Sequence, residues 1–106
     1  MKMGVHERLL ALSLLREAEG SLVTLRVVRD LQRELSFSDE ELSRFGITQD
    51  GDQVRWTGSA DRDFDLGDAA RGVLLARFKR LDAAGSLTLA QLPLYERLLE
   101  EPPKKE

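Results

Sequence analysis

The sequence predicts an α+β fold, with about five helices packed against a small antiparallel meander of two or three strands. Apolar residues recur at helical spacing through most of the chain, a hairpin signal stands near its middle, and glycines separate the segments. The predicted order is helices 1–3, a hairpin, a further strand and helices 4–5. Because 106 residues suit one domain, we assign 1–100 to a single globular domain and expect the proline-rich, charged segment 101–106 to be a disordered tail.

Two helices are predicted first, at 5–18 and 24–35. The first has a wide apolar stripe in which leucine dominates. In the second, Val28 and Leu31 share one face, and Leu22–Val23 before it are expected to be extended.

The residues at its two ends predict a third, short helix at 39–45. Ser38 is a favourable N-cap, Glu41 lies three residues further on and completes a capping box, and Gly46 ends the helix.

The segment ITQDGDQVRW, residues 47–56, predicts a hairpin. Asp50 and Gly51 are a favoured pair where the backbone needs a positive φ, and Val54 and Trp56 then share one face of the second strand.

The stretch DRDFDLGD, residues 61–68, allows two interpretations, a calcium loop or a strand that leads into a helix. A calcium-binding EF-hand loop that begins at Asp61 would need glycine at its sixth position and glutamate at its twelfth, where this chain has Leu66 and Gly72. In a strand, Phe64 and Leu66 alternate with aspartates and become buried. The sequence therefore favours the strand.

The fourth and fifth helices are predicted at 68–84 and 89–100. Thr88 and Gln91 form a second capping box at the start of the fifth. Pro93 would remove a backbone hydrogen bond inside that helix. Either the first turn is separate and the main helix starts at Pro93, or the helix bends there.

The inner faces of these elements define the predicted core. A chain of this length buries roughly two-thirds of the surface that its unfolded form exposes, so the core needs no disulfide, and the chain has no cysteine. The predicted core residues are Leu9, Leu12, Val28, Leu31, Leu42, Phe45, Val54, Trp56, Leu66, Leu74, Phe78, Leu81, Tyr95 and Leu98.

Composition argues against several classes of protein. The net charge is −3 and charges of both signs are mixed along the chain, unlike the basic footprint of a nucleic-acid binder. The N-terminal apolar run is interrupted by charges and does not resemble a signal peptide, and no segment approaches the ~18 apolar residues of a membrane span. We therefore expect a soluble, cytoplasmic protein that does not bind a membrane.

No constellation of residues predicts catalysis or a cofactor. His6 is the single histidine and is expected to be solvated. No serine stands in a G-x-S-x-G motif, and no glycine-rich phosphate loop is present. A carboxylate pair could come from Asp39, Glu40 and Glu41, but a helix N-terminus favours acidic residues anyway. We therefore predict no catalytic, cofactor-binding or metal-binding residues, and no enzyme.

The candidate partner-binding residues are Arg26, Arg29, Arg33, Arg55, Trp56 and Tyr95. The three arginines of the second helix form a basic stripe opposite its apolar face, suited to an acidic protein or to phosphate. The alternative is a solvated face with local ion pairs, such as Arg26 with Asp30. The two aromatic residues would act as anchors if either were exposed.

Helices 1–3 and the hairpin also have the order of a winged helix-turn-helix, so a winged-helix-like N-terminal half is an alternative. The third helix would then enter the major groove of DNA. Its first turn, however, would bring three carboxylates towards phosphates, which is repulsive. The charges therefore disfavour a nucleic-acid partner.

Three sequence segments follow one another in a specific order. They are an F-S-x-E-E-L helix start at 37–42, a Q-x-G-x-x-V-x-W hairpin at 49–56 and an L-T…L-x-L-Y-E segment within 87–96. In this order they resemble a set of small uncharacterised proteins encoded in bacteriophage genomes and prophages. The resemblance covers nearly the full length. It implies a phage or prophage origin and a compact mixed fold without an assigned enzymatic activity, and it carries over no catalytic residue.

These observations predict a small non-catalytic protein-interaction or regulatory module that binds a host or viral protein. A winged-helix-like nucleic-acid-binding protein is one alternative. Another is a homo-oligomeric structural module, a homodimer that buries the wide apolar stripe of the first helix.

Overall fold

The computed structural model describes residues 1–100, so the predicted tail at 101–106 lies outside the described residues. Its elements are β1 (Lys2–Met3), α1 (Val5–Arg16), α2 (Leu22–Leu35), α3 (Asp39–Arg44), β2 (Thr48–Asp50), β3 (Gln53–Arg55), β4 (Arg62–Asp63), α4 (Asp68–Ala83) and α5 (Leu92–Glu100). The predicted α+β class is confirmed. Within residues 1–100, no helix is long and apolar enough to cross a membrane.

Helices α1, α2 and α4 pack against one another, and α5 packs on α4. Helices α2 and α4 run antiparallel, because Thr24 shares a groove with Ala76 and Glu34 shares a second groove with Gly67. Burial of each large apolar side chain contributes about 1.5–3 kcal/mol. One cluster of buried residues joins the helices: Met3, Ala11, Leu14, Leu15, Val28, Leu31, Leu35, Phe64, Leu66, Leu74, Phe78, Leu94, Tyr95 and Leu98.

The strands form two separate two-stranded antiparallel sheets rather than one meander. Strands β2 and β3 make the predicted hairpin, with Gly51 at a φ of 62° in its turn. The predicted third strand exists as β4, but it pairs with β1, which places Lys2 opposite Asp63. Strand β1 was not predicted, because two residues are too few to show an alternation.

Two helix starts follow their capping residues. In α3 the Ser38 hydroxyl accepts from the Glu41 N–H at 3.1 Å and the Glu41 carboxylate accepts from the Ser38 N–H at 3.1 Å, as predicted. Helix α2 begins at Leu22, not at 24, because the Ser21 hydroxyl caps it by accepting from the Thr24 N–H at 3.2 Å. The predicted extended conformation of Leu22–Val23 is therefore wrong.

The fifth helix follows the first of the two alternatives for Pro93. A separate turn comes first, in which the Thr88 N–H donates to the Gln91 side chain at 3.0 Å. Helix α5 then begins at Leu92, which places Pro93 in the first helical turn. A proline there loses no intrahelical hydrogen bond, so the helix need not bend.

Part of the predicted core lies at the surface. Leu42 and Trp56 are each 37% exposed and Val54 is only half-buried, because they belong to α3 and the hairpin rather than to the packed helices. Leu9, Leu12 and Leu81 are also half-buried. The remaining predicted core residues are buried: Val28, Leu31, Phe45, Leu66, Leu74, Phe78, Tyr95 and Leu98.

The two alternative predictions, a winged helix and a homodimer formed through the first helix, depend on how α3 and α1 pack. The three mutually packed helices are α1, α2 and α4, whereas α3 has no buried residue. Helix α1 uses its wide apolar stripe inside this protein, since Leu14 and Leu15 are buried and its other leucines are half-buried. The stripe predicted to form a homodimer thus packs at least in part within the chain itself, and the homodimer stays a prediction.

Candidate functional site

One side of α2 combines the predicted arginines with exposed apolar residues. Arg26, Arg29 and Arg33 are exposed. Leu22 and Leu25 are 66% and 40% exposed. All five side chains leave the helix within a sector of about 100° at 3.6 residues per turn. We call this set the α2 outer face.

The buried side of α2 determines the direction of this face. Val28, Leu31 and Leu35 are buried in the core, and helical periodicity then turns the α2 outer face to solvent. The Ser21 cap begins the helix early enough to place Leu22 in its first turn. The helix start predicted from sequence, at 24, left Leu22 outside the helix and so missed this part of the site.

The arginines of the α2 outer face are weakly paired. The Arg29 Nε lies 3.7 Å from the Asp30 carboxylate, and both side chains are more than half exposed. Such an exposed pair contributes about 0–1 kcal/mol. Within the described part of the chain, neither Arg26 nor Arg33 forms an ion pair. Asp30 pairs with the neighbouring Arg29 instead of with Arg26, as had been predicted. The guanidinium groups can therefore meet an external carboxylate.

The hairpin carries two further predicted residues. Arg55 is exposed on β3 opposite Thr48, and Trp56 follows the strand. The Trp56 ring stacks on His6, with 5.8 Å between ring centroids. These residues lie on the hairpin and at the start of α1, so the structure does not join them to the α2 outer face.

Tyr95 does not belong to a binding surface. Its side chain is 8% exposed and stacks on Phe78, with 4.9 Å between the ring centroids. It packs in the core between α4 and α5. The structure thus confirms Tyr95 as a core residue and removes it from the exposed anchors.

Arg8 is a buried charged residue that was not predicted from the sequence, and its side chain is only 1% exposed. Its guanidinium donates to the carbonyls of Leu35 at 3.1 Å and Ser36 at 2.8 Å, and it pairs with the Glu41 carboxylate at 2.6 Å. It also lies 4.0 Å from the centroid of the Phe37 ring. Each of the three guanidinium nitrogens donates a hydrogen bond, and together they join α1 to the end of α2 and the start of α3, which indicates a structural role.

Glu41 is the acceptor of this network. The hydrogen bonds from Arg8 lower the pKa of Glu41 to about 2, with smaller contributions from the Ser38 N–H and from the charges of Arg8 and Arg62. Partial burial opposes the shift. A carboxyl group held ionised in this way is a poor general acid or base near neutral pH.

Other arginines stabilise helix ends in the same manner. Arg77 donates to the Leu14 carbonyl at 3.1 Å, and Arg71 donates to the Leu98 carbonyl. The last carbonyls of a helix lack intrahelical donors, so arginine side chains can satisfy them. Arginine outnumbers lysine twelve to four in this chain, and part of that excess has a structural use.

The acidic stretch runs from a strand into a helix, as predicted, but strand β4 ends at Asp63, before Phe64 and Leu66. Phe64 and Leu66 are buried, and α4 begins at Asp68. Asp63 pairs with the N-terminal amino group at 3.0 Å. Among the described residues, no group of three or more histidine or acidic side chains is arranged to hold a metal ion.

The cavities lie between helices. One of about 600 Å³, between the ends of α1 and α4, is lined by Glu17, Glu19, Arg77 and Arg80 with apolar neighbours. These lining residues provide charges of both signs, and none of them is a serine, cysteine or histidine.

Comparison with protein-family models, with curated proteins and with solved structures found no match to this chain. The resemblance to small phage and prophage proteins is neither supported nor opposed by them and stays a prediction.

Proposed function

We propose that this protein is a non-catalytic interaction module that binds an acidic protein through the α2 outer face. The observation that carries the proposal is the exposure of Leu22 and Leu25 beside three weakly paired arginines on one helix. Arginine recognises carboxylates through two parallel hydrogen bonds, and neighbouring apolar contacts exclude water from such pairs.

The leucines favour a protein over a nucleic acid as the partner. Leu22 and Leu25 would gain by burial against apolar side chains and find no equivalent on a phosphate backbone. A protein with a mixed acidic and apolar surface matches both features of the α2 outer face.

The biological setting is part of the same proposal. If the chain comes from a phage or prophage, its partner is a host or viral protein. Binding by a small protein of this kind would regulate or recruit the partner rather than transform a substrate.

Capture with matched charge variants tests the proposal. Full-length tagged protein is incubated with a lysate of the cells that encode it, with and without nuclease. The triple variant Arg26→Glu, Arg29→Glu, Arg33→Glu should lose at least about tenfold of the captured partner, because charged contacts at an interface are reversed. The control variant Arg16→Glu, Arg44→Glu, Lys79→Glu has the same net charge and should retain it, because these exposed residues lie outside the candidate partner-binding set.

Leu22→Ser with Leu25→Ser should also weaken capture, without a change in charge. Equal capture by the two triple variants would contradict the assignment of the α2 outer face. Capture that nuclease abolishes would instead support the nucleic-acid hypothesis. In that case three phosphate contacts would make log K fall with log salt at a slope of about −3.

A further inference from the structure

Two adjoining spaces between the helices share part of their walls. The first is the cavity of about 600 Å³ between the ends of α1 and α4, which we call the α1–α4 cavity. The second, of about 270 Å³, lies between α2 and α4, and we call it the α2–α4 groove. Ala18, Glu19 and Arg77 line both spaces, so one carboxylate and one guanidinium group stand where the two meet.

The α1–α4 cavity carries charges of both signs that are not paired with each other. Glu17 and Glu19 line it from the end of α1 and the segment that follows, and Arg77 and Arg80 line it from α4. Among residues 1–100, none of these four side chains forms an ion pair. The two arginines are three residues apart, so they leave α4 on the same side. Both charges are therefore available to a ligand.

Arg77 is held in place by the fold. Its side chain is half-buried, and its Nε donates to the Leu14 carbonyl near the end of α1 at 3.1 Å. In the part of the chain that the structure describes, its two terminal nitrogens donate no hydrogen bond. A carboxylate can accept two parallel hydrogen bonds from such nitrogens. Because the side chain is already anchored, little conformational entropy is lost when a ligand binds.

The α2–α4 groove is mostly apolar beyond this shared wall. Val28, Val73 and Ala76 are among the residues that line it, and Thr24 contributes a hydroxyl group. An aliphatic side chain that entered the groove would be removed from water against these residues, which is favourable. A charged group would find no partner there and would remain in the α1–α4 cavity.

We propose that the two spaces together bind a free amino acid with an aliphatic side chain. The carboxylate of the ligand accepts hydrogen bonds from Arg77, its ammonium group pairs with Glu19, and its side chain enters the α2–α4 groove. Because Glu19 and Arg77 stand where the spaces meet, both charges of the ligand must lie next to its apolar part. An amino acid carries both charges on the carbon that bears its side chain.

The overall charge and the size of the site agree with this ligand. Glu17 and Arg80 add one further charge of each sign, so the site favours a neutral zwitterion over a simple anion or cation. The volume of the α1–α4 cavity lies within the range of about 300–1,000 Å³ that is typical of small-molecule sites. Glu17, Glu19 and Arg80 are exposed, so solvent screens their attraction. We expect a dissociation constant on the order of 0.1–1 mM.

Titration of the full chain with free leucine, followed by two-dimensional NMR of the backbone amides, tests the proposal. Leucine should shift the amides of Glu19 and Ala76 and should bind about tenfold more tightly than glycine, because its side chain is buried. Leucinamide lacks the carboxylate and isocaproate lacks the amino group, and each should bind at least about tenfold more weakly than leucine. Isocaproate that binds as tightly as leucine would overturn the inference.

Two variants separate the charged contacts from the apolar one. Glu19→Gln should weaken the binding of leucine by about threefold or more and leave that of isocaproate unchanged. Ala76→Leu fills the groove and should remove the preference for leucine over glycine. The control is Lys79→Gln, an exposed position on α4 that lines neither space, and it should bind leucine as the natural chain does. Far-UV circular dichroism checks that each variant is folded.

Three further results would overturn the inference. The first is the absence of saturable shifts at up to about 10 mM leucine. The second is an unchanged affinity for leucine in both Glu19→Gln and Ala76→Leu. The third is tighter binding of leucyl-leucine than of leucine, since the two charges of a dipeptide lie on different residues and would identify a peptide as the ligand.

Discussion

At the scale of single residues, Arg8 replaces an apolar side chain in the middle of a buried helix face. The predicted stripe of α1 ran through Leu9 and Leu12, whereas the buried line runs through Val5, Arg8, Ala11 and Leu15. The guanidinium fills that position because backbone carbonyls at the end of α2 and the Glu41 carboxylate satisfy it. Such long-range partners cannot be read from local periodicity.

Arg8→Met should destabilise the protein by about 3–5 kcal/mol, because it leaves buried carbonyls and Glu41 without their partner. Urea unfolding followed by circular dichroism measures the change. Arg29→Met is the control and should alter stability by about 0.5 kcal/mol or less, since its ion pair is exposed. Equal effects of the two substitutions would contradict the role of Arg8.

Glu41 makes stability depend on acid pH. Its pKa falls from 4.5 in the unfolded chain to about 2 in the folded one. The contribution is therefore complete above pH 4.5 and is lost as the pH falls towards 2. With its side chain 17% exposed, the loss should amount to about 1–3 kcal/mol.

Unfolding free energies of the natural chain and Glu41→Gln at pH 6, 4 and 3 isolate this contribution from the other carboxylates. The difference between the two proteins should shrink as the pH falls. A constant difference would show that Glu41 has the same pKa in the folded and unfolded states.

At the scale of elements, the helices were more predictable than the strands. The capping box of Ser38 and Glu41 located the start of α3 because its hydrogen bonds are local. The β1–β4 pairing joins distant segments of two residues each, which no local pattern records. The buried positions of α3 and the hairpin were wrong for a related reason, since amphipathicity alone does not show whether an element packs on the main core.

Two glycines should respond oppositely to alanine. Gly72→Ala in α4 should stabilise the protein by about 0.5–1 kcal/mol, because there is room for the Cβ and the helix gains propensity. Gly46→Ala should destabilise it by about 1–3 kcal/mol, because Gly46 has a φ of 61° and a Cβ would collide with the Thr57 hydroxyl. Thermal unfolding of both variants measures these shifts, and a stabilising Gly46→Ala would refute the left-handed conformation.

At the scale of the whole molecule, some arginines bind the chain's own helix ends and others do not. Arg8, Arg71 and Arg77 donate hydrogen bonds to backbone carbonyls at helix ends. The arginines of the α2 outer face have no such use and stand beside exposed leucines. The sequence pattern identified these arginines as a stripe, but it could not show which other arginines bind backbone carbonyls within the fold. That distinction required the tertiary contacts.

Site-specific photo-crosslinking in the cells that encode the chain tests most directly whether the protein acts by binding through this face. A photoreactive residue at Leu25 should give a discrete, nuclease-resistant protein adduct that disappears when Arg26, Arg29 and Arg33 are changed to glutamate. The same residue at Glu96, exposed on α5, is the control and should give none. Adducts from position 96 but not from position 25, or adducts at 25 that survive the arginine reversal, would contradict the proposed function.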